Sequence, residues 1–577
     1  MPDVTETGAL VLARESMLKL LSPILCFCLA LAFLTTPALL SSPMTPMTLA
    51  SPAAEVIAIT GGTLIDGSGR APVSDAVVIV KGDSIAAVGR RGQIRIPEGA
   101  RVIDARGLIV APGFIDTHNH SDRGFDEDPS AATQVSQGIT TVAVGQDGGS
   151  ALPIGEYLSK LDTNPVALNV VTFVGHATLR EKVMGGDTNR HATTDEIEKM
   201  KQMTEQAMRD GAFGLSTGLE YEIGKPATTE EVIALASVAG RFGGIYISHI
   251  RDEADKTFEA LAEAIRIGRE GHLPAQISHI KLGSVVVWGR AAEAIALIDK
   301  ARRRGQDVTA DCYPYDAWNS TIRVLIPSGR HDDKDDVARG LADVGGAGNI
   351  TIVSCRAHPD YEFKTLEEIA RQQNITPVEL YMRIVRDGGA SIVCHSMKDE
   401  DIRAFYRQPW VMVSSDGGIG SRHPRGAGTF PRVLGRFVRE RHWLALPEAV
   451  RKMTSLPAWR LGLKDRGLIR PGYKADIVLF DRDRVIDRST FQQPQLVSEG
   501  VTRVFVNGLE VWREGAVTGN RPGRALRHKP LRRLATGQVI ELFGGAEGDR
   551  TPDLMNAIHA LSQLSYGPVI FRPTHLA

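Results

Sequence analysis

The sequence predicts an α/β fold: a (β/α)8 barrel joined to a small β-sandwich domain assembled from both flanks of the chain. Three observations carry this. Residues of about 111–465 alternate short β-prone runs with amphipathic helical runs, and βα units repeated at that length imply a parallel sheet. β-prone runs split by turn dipeptides occur at both flanks, and neither set is large enough to stand alone. Residues able to carry chemistry recur at the ends of the predicted barrel strands, where barrel active sites lie.

In chain order, residues 1–54 stand apart. Lys19 precedes an apolar run over 20–40, and 41–54 is rich in Ser, Pro, Thr and Ala, the layout of a secretory signal. An uncleaved anchor is the alternative, because the run is nearly long enough to span a bilayer. If the signal is cleaved, no stable membrane span remains. Either way the body of the protein is expected to be exported, to the periplasm or beyond. Residues 55–110 form the first part of the sandwich, with β-prone runs at 56–59, 76–80 and 84–88 separated by Gly61-Gly62, Asp66-Gly67 and Gly82-Asp83. Residues 466–528 form the second, with runs at 475–480, 501–506 and 510–512.

Within 111–465, residues 108–115 read as one buried strand with a Pro-Gly interruption. Thr193-Thr-Asp-Glu196 predicts a capping box opening a helix that closes near Gly211, and Thr228-Thr-Glu-Glu231 repeats the device. Further helices end at Gly271 and Gly305, and β-prone runs lie at 244–248, 275–278 and 308–310. The more irregular, charged stretch at about 328–390 reads as an insertion on the barrel. After about Lys529 the strand–helix pattern stops. Residues 544–566 resemble a peptide that recurs when a transfer-RNA gene is wrongly translated, so 529–577 is expected to be read-through.

Composition narrows the function. Sixty-seven basic against 68 acidic residues, a net charge of −1, give no sign of a nucleic-acid partner. Outside the leader only Cys312, Cys355 and Cys394 occur, too widely spaced for a disulfide framework, so the core must stabilise the fold.

The chemistry concentrates at strand ends. His118 and His120 sit two apart after a β-prone run, so both imidazoles point to one side, with Asp116 two residues earlier. Paired neutral imidazoles suit zinc and similar divalent ions. Glu220, His249, His279 and Asp416 each follow another predicted strand. One such residue is readily explained as a satisfied core side chain; six at strand ends are hard to obtain from packing alone. Gly214-Leu-Ser216-Thr-Gly218 fits the G-x-S-x-G serine elbow, yet no helix follows it directly, which argues against a serine nucleophile.

PGFIDTHNH at 112–120, GAFGLSTGLEY at 211–221, YISHIRDE at 246–253, ISHIKLG at 277–283, SSDG around Asp416 and HPRGAGTFPRVLG at 423–435 resemble the amidohydrolase superfamily, and within it the N-acyl-D-amino-acid deacylase (D-aminoacylase) family. The resemblance covers about 56–530. It implies a zinc-dependent hydrolase of N-acyl-D-amino acids or D-residue dipeptides, with one or two zinc ions. It implies that His118, His120 and Asp416 bind one metal, and that His249 and His279 bind the other. Where the family places a zinc-binding cysteine after the second strand, this chain has Gly145-Gln146-Asp147-Gly148. Glu220 is the favoured bridging carboxylate and Asp147 the lesser candidate. Asp416 is placed to take a proton from water and hand it to the leaving amine. Lys281, two residues after His279, points the same way along its strand. The resemblance adds Tyr313 and Arg425 as partners of a small-molecule substrate with a free carboxylate. The alternatives are a cyclic-amide hydrolase or L-dipeptidase of the same superfamily, or an inactive barrel acting as a binding or scaffold protein.

Overall fold

The computed structural model describes residues 55–529, and beyond them only the pairing of Arg532–Arg533 with Val539–Ile540. The leader and nearly all of the tail lie outside the described residues. No helix among the described residues is long and apolar enough to cross a membrane.

The N-terminal flank supplies strands β1 (Val56–Leu64), β2 (Val73–Lys81), β3 (Ser84–Arg90), β4 (Arg101–Asp104) and β5 (Ile109–Pro112). The barrel then begins with β6 (Phe114–Asp116). The expected single strand across 108–115 is therefore two strands in two sheets. Gly113 makes the handover: its N–H donates to the Asp476 carbonyl at 2.8 Å. A Cβ at Gly113 would meet the Thr140 side chain at 2.2 Å, so the chain crosses between the sheets where only glycine fits.

The barrel continues through β7 (Ile139–Val144), β8 (Asn169–Thr172) extended past Phe173 by β9 (Val174–Gly175), β10 (Gly214–Gly218), β11 (Ile245–His249), β12 (Ala275–Ile277) and β13 (Val308–Cys312). After the excursion β14 (Ala317–Thr321), β15 (Ile350–Ser354) and β16 (Ser391–His395), it ends with β17 (Val411–Val413). β6 to β8 pair in parallel, as do β9 to β13 and β17. Phe213 N–H to the Thr172 carbonyl (2.9 Å) joins the two sets. Asn119 bridges Gly417 in parallel and closes the ring of eight strand positions. Their burial is nearly complete, as a sheet covered on both faces requires.

Local sequence sets the helices between strands. Thr193 and Glu196 form the reciprocal capping box of the helix Thr194–Asp210, which ends on a left-handed Gly211 (φ 115°). At Thr228 the hydroxyl caps Glu231 N–H, but the reciprocal bond is missing. Glu231 is drawn instead into a buried cluster, 2.6 Å from Arg180 and 2.9 Å from His176. A buried arginine holds that carboxylate more strongly than a backbone N–H does.

The flanks join in one nine-stranded sheet, ordered β21-β20-β19-β18-β5-β1-β2-β3 with β4 beside β1, where β18 is Ile477–Phe480, β19 Val501–Val506, β20 Leu509–Arg513 and β21 Ala516–Val517. β18 runs antiparallel to β5, which is how the two ends of the sequence meet. Apolar side chains pack on both faces: Ile57, Ile59, Val78 and Ile477 on one, Ala58, Val77 and Ile79 on the other. The excursion from the barrel is wider than 328–390. It starts at β14, includes the helices Lys334–Asp343, Leu366–Gln372 and Pro377–Arg386, and returns through β16 around a core of its own. Trp318, Arg323 and Leu325 of this unit line the mouth of the barrel.

Candidate metal centre

Each candidate side chain comes from the C-terminal end of a barrel strand. His118 and His120 follow β6, Asp147 follows β7, and Glu220 follows β10. His249 is the last residue of β11, His279 follows β12, and Asp416 follows β17. Three of these seven have left-handed backbones: Asp147 (φ 55°), His279 (φ 34°) and Asp416 (φ 47°). Non-glycine residues adopt that region rarely, and strain of this kind collects at functional sites.

Neighbours hold the strained residues. Ser216 in β10 donates its hydroxyl to the Gly145 carbonyl (2.6 Å) and accepts from Gly148 N–H (3.2 Å), so it clasps the loop carrying Asp147 on both sides. Gly218 lets that loop approach, since a Cβ there would lie 2.3 Å from the Asp147 carbonyl oxygen. Asp311 accepts from His279 N–H at 2.8 Å and from Ser414 at 2.5 Å. Asp116 accepts from Ser415 N–H (2.9 Å), the Ser415 hydroxyl and Asn119 (2.8 Å), which locks the closing seam beside Asp416. Burial pushes the Asp116 carboxyl up to about 6, against the pull of those hydrogen bonds.

The donors converge. Asp147 Oδ1 lies 3.3 Å from His118 Nε2 and 3.7 Å from His279 Nε2, and Asp147 Oδ2 lies 3.3 Å from His120 Nε2. Asp416 Oδ1 lies 3.5 Å from His118 Nε2 and 3.3 Å from His120 Nε2, while its Oδ2 faces Arg425 at 2.7 Å. His249 Nδ1 is 3.0 Å from His279 Nε2. One ligand atom from each of His118, Asp147, His279 and Asp416 falls within 4.8 Å of the others. Both ring nitrogens of His118 and Oδ1 of Asp147 are buried with no hydrogen-bond partner among the described residues. Buried polar atoms are seldom left this way, and imidazole with carboxylate is a donor set that suits zinc.

Electrostatics fit the same reading. Burial would lower the His120 pKa, but the Asp147 and Asp416 carboxylates override it and raise it to about 9. Burial and Lys281 would lower His279, yet Glu253, Asp416 and Asp147 carry it up to about 10. Burial alone would raise Asp147 and Asp416; the surrounding histidines, and Arg425 beside Asp416, hold both well below the usual carboxylate range. The carboxylates of the centre favour positive charge on the imidazoles that face them.

The centre opens into a cleft of about 1810 Å³. At its wall, Lys281 lies 2.6 Å from both oxygens of Glu253, and the Arg425 guanidinium stacks over Tyr313 at 4.8 Å. The Tyr313 hydroxyl is buried with no hydrogen-bond partner among the described residues, and burial raises its pKa well above the ordinary phenol value.

Residues 101–512 match the Amidohydrolase family. The chain belongs to that family. Within it, the chain is 37% identical over 496 residues to the D-aminoacylase of Alcaligenes xylosoxydans xylosoxydans, covering 81% of this chain and 96% of the relative. It is 38% identical over 495 residues to the N-acyl-D-glutamate deacylase of the same organism, covering 82% and 96%. The crystal structure of N-acyl-D-glutamate deacylase from Bordetella bronchiseptica, complexed with zinc and a phosphonate inhibitor that mimics the tetrahedral intermediate, superposes with a TM-score of 0.74. That match has 35% identity and covers 82% of this chain and all of that one. These similarities place the chain in the D-aminoacylase branch of the amidohydrolases.

In this amidohydrolase the structure brings His118, His120, His249, His279 and Asp416 together, with Lys281, Tyr313 and Arg425 beside them. Glu220, favoured from sequence as the bridge, stands outside the donor cluster. Its Oε2 lies 2.8 Å from His249 Nε2, the ring nitrogen opposite the one that faces His279. Asp147, the lesser candidate, lies inside, touching imidazoles of both pairs. Sequence reasoning missed two neighbours. The Tyr221 ring lies 4.5 Å from that of His249, tilted by 34°. Glu253 lies 3.0 Å from His279 Nδ1; its one signal was its place four residues after His249 in YISHIRDE.

Proposed function

We propose that this protein hydrolyses the amide bond of N-acyl-D-amino acids by a zinc-dependent mechanism, with His118, His120, Asp147, His249, His279 and Asp416 as the ligand set. The observation that carries the reading is the convergence of His118, Asp147, His279 and Asp416 on one point, with His120 beside both carboxylates, His249 beside His279, and two buried cations, Lys281 and Arg425, close by. Zinc held there supplies Lewis-acid polarisation of the carbonyl and makes water acidic enough to attack near neutral pH. Asp147, with one oxygen toward His118 and His279 and the other toward His120, would serve as the shared carboxylate ligand in place of Glu220. The Asp416 carboxylate takes the proton of the attacking water and passes it to the amide nitrogen as the C–N bond breaks, releasing a carboxylic acid and a free amino acid. Arg425, Lys281 and the Tyr313 hydroxyl form a cationic, hydrogen-bonding cradle for the substrate carboxylate, and the planar guanidinium suits bidentate pairing. The D-configuration is supported by the two deacylase relatives.

The test is a screen of paired N-acetyl-D- and N-acetyl-L-amino acids with zinc-loaded protein. Release of the D-amino acid with the L-partner left intact is the expected result. Preference for cyclic amides or L-dipeptides would redirect the assignment, and a zinc-replete protein with no turnover on any of them would point to a binding role. We also propose export, on the strength of the apolar run at 20–40 and the small-residue stretch after it. Recovery of the unprocessed chain in the soluble cytoplasmic fraction of its host would refute it.

A further inference from the structure

We propose that Glu253 is a positioning residue that ties the substrate-binding Lys281 to the metal-ligating His279, so that metal and carboxylate cradle are held as one unit. This rests on the ligand assignment above and adds a residue to it. The Glu253 carboxylate is the shared neighbour of three groups. Both oxygens lie 2.6 Å from Lys281 Nζ, Oε1 lies 3.0 Å from His279 Nδ1, and Oε2 lies 3.9 Å from His249 Nε2. The Lys281 side chain is only 5% exposed, and taking an ammonium out of water is costly unless a carboxylate lies against it. Carboxylates behind metal-bound imidazoles fix ring orientation and tautomer. Glu253 lies beside His279 Nδ1, as Glu220 lies beside His249 Nε2, and it holds the Lys281 ammonium against that same Nδ1 at 2.7 Å.

The backbone of Glu253 reinforces the link. Its N–H donates to Glu220 Oε1 (3.4 Å), and its carbonyl accepts from Gly283 N–H (2.9 Å), two residues beyond Lys281. The loop after β11 and the loop after β12 are thereby clasped at this one residue.

A rival role is direct metal ligation, since donor atoms of His249, Glu253 and His279 also lie within 4.8 Å of one another. Two contacts oppose it. The His279 nitrogen nearest Glu253 is Nδ1, whereas Nε2 faces Asp147, Asp416 and His249. The Lys281 ammonium already lies 2.7 Å from that Nδ1, where the ion would have to sit.

The experiment compares Glu253→Gln, Lys281→Met and the double variant in the zinc-loaded, full-length protein. Zinc per chain, zinc affinity by chelator competition, and kcat and KM on an N-acetyl-D-amino acid are measured for each. Glu253→Gln is expected to keep the wild-type number of zinc ions, to bind zinc about 10–100-fold more weakly, and to raise KM by about tenfold or more. In the Lys281→Met background the same change is expected to leave KM within about twofold, because the residue it acts through is gone. If Glu253→Gln alone does not fold, the double variant, which removes both buried charges, is expected to recover folding. Loss of a zinc ion per chain, unchanged zinc affinity and KM, an equal KM effect in both backgrounds, or no recovery of folding each overturns the proposal. A wild-type protein inactive on every acyl-amino acid overturns the substrate assignment instead, and the zinc-affinity and folding arms still decide the role of Glu253.

Discussion

Asp147→Asn separates the two carboxylates that sequence reasoning left in competition. The substitution keeps shape and removes one charge from a buried site where Asp147 faces three imidazoles at 3.3, 3.3 and 3.7 Å. Removing one partner from a buried charged network costs about 3–5 kcal/mol. At about 1.4 kcal/mol per tenfold, zinc affinity should fall by roughly two to four orders of magnitude. Of the proposed ligands Glu220 meets only His249, at the far ring nitrogen, so Glu220→Gln should act as the loss of an outer partner does, about 10–100-fold. The assay is zinc per chain after dialysis against a graded series of chelators, with circular dichroism confirming the fold. At a chelator strength that leaves the wild type loaded, Asp147→Asn should be depleted first and Glu220→Gln should stay largely loaded. An Asp147→Asn protein that holds zinc like wild type, beside a depleted Glu220→Gln, would refute the reasoning and return the bridge to Glu220.

Three further outcomes are expected. Ser216→Ala removes both bonds that clasp the Asp147 loop and should destabilise the fold by about 1–3 kcal/mol, with activity reduced but present; complete loss of turnover in a folded, zinc-replete protein would revive a serine nucleophile. Gly218→Ala places a methyl group against the Asp147 carbonyl and should displace that loop, lowering zinc content in atomic analysis more than an alanine at the exposed Gly462 does. Lys452 is buried with its ammonium at the Gln408 and Val411 carbonyls, and burial, opposed by Glu448, lowers its pKa to about 7. Between about pH 7 and 10.5 the unfolded chain therefore holds a proton that the folded chain lacks, and this residue lowers stability as pH falls through that window. Lys452→Met should flatten the slope of unfolding free energy against pH there by up to about 1.4 kcal/mol per unit, measured by denaturant titration; identical slopes would contradict the shift.

Much of the architecture is legible because its signals are local. The barrel follows from the alternation of β-prone and amphipathic runs, and the Thr193 box is written in four consecutive residues. The strand-end histidines are visible because a side chain at the C-terminal end of a barrel strand has one place to point. Where the reading slipped, a longer-range partner decided. Glu231 leaves its capping position for Arg180, and the apolar run at 108–115 divides at Gly113 because Asp476, more than 350 residues away in sequence, takes its N–H.

The sequence by itself indicated the fold class and, through its motifs, the family; it singled out five of the six proposed donors at strand ends and offered Lys281, Tyr313 and Arg425 as substrate-side candidates, the last two through the resemblance alone. Only the tertiary structure sets Asp147 apart from Glu220, the carboxylate that the sequence favours, and the bridging role proposed for Asp147 rests on that placement. The left-handed turn at Asp147, clasped by Ser216 and admitted by Gly218, carries one carboxylate in among the histidines, while the other comes to rest behind His249. Glu253 belongs to the same class: its role depends on distances to Lys281 and His279, and those exist only once the strands that carry them are side by side.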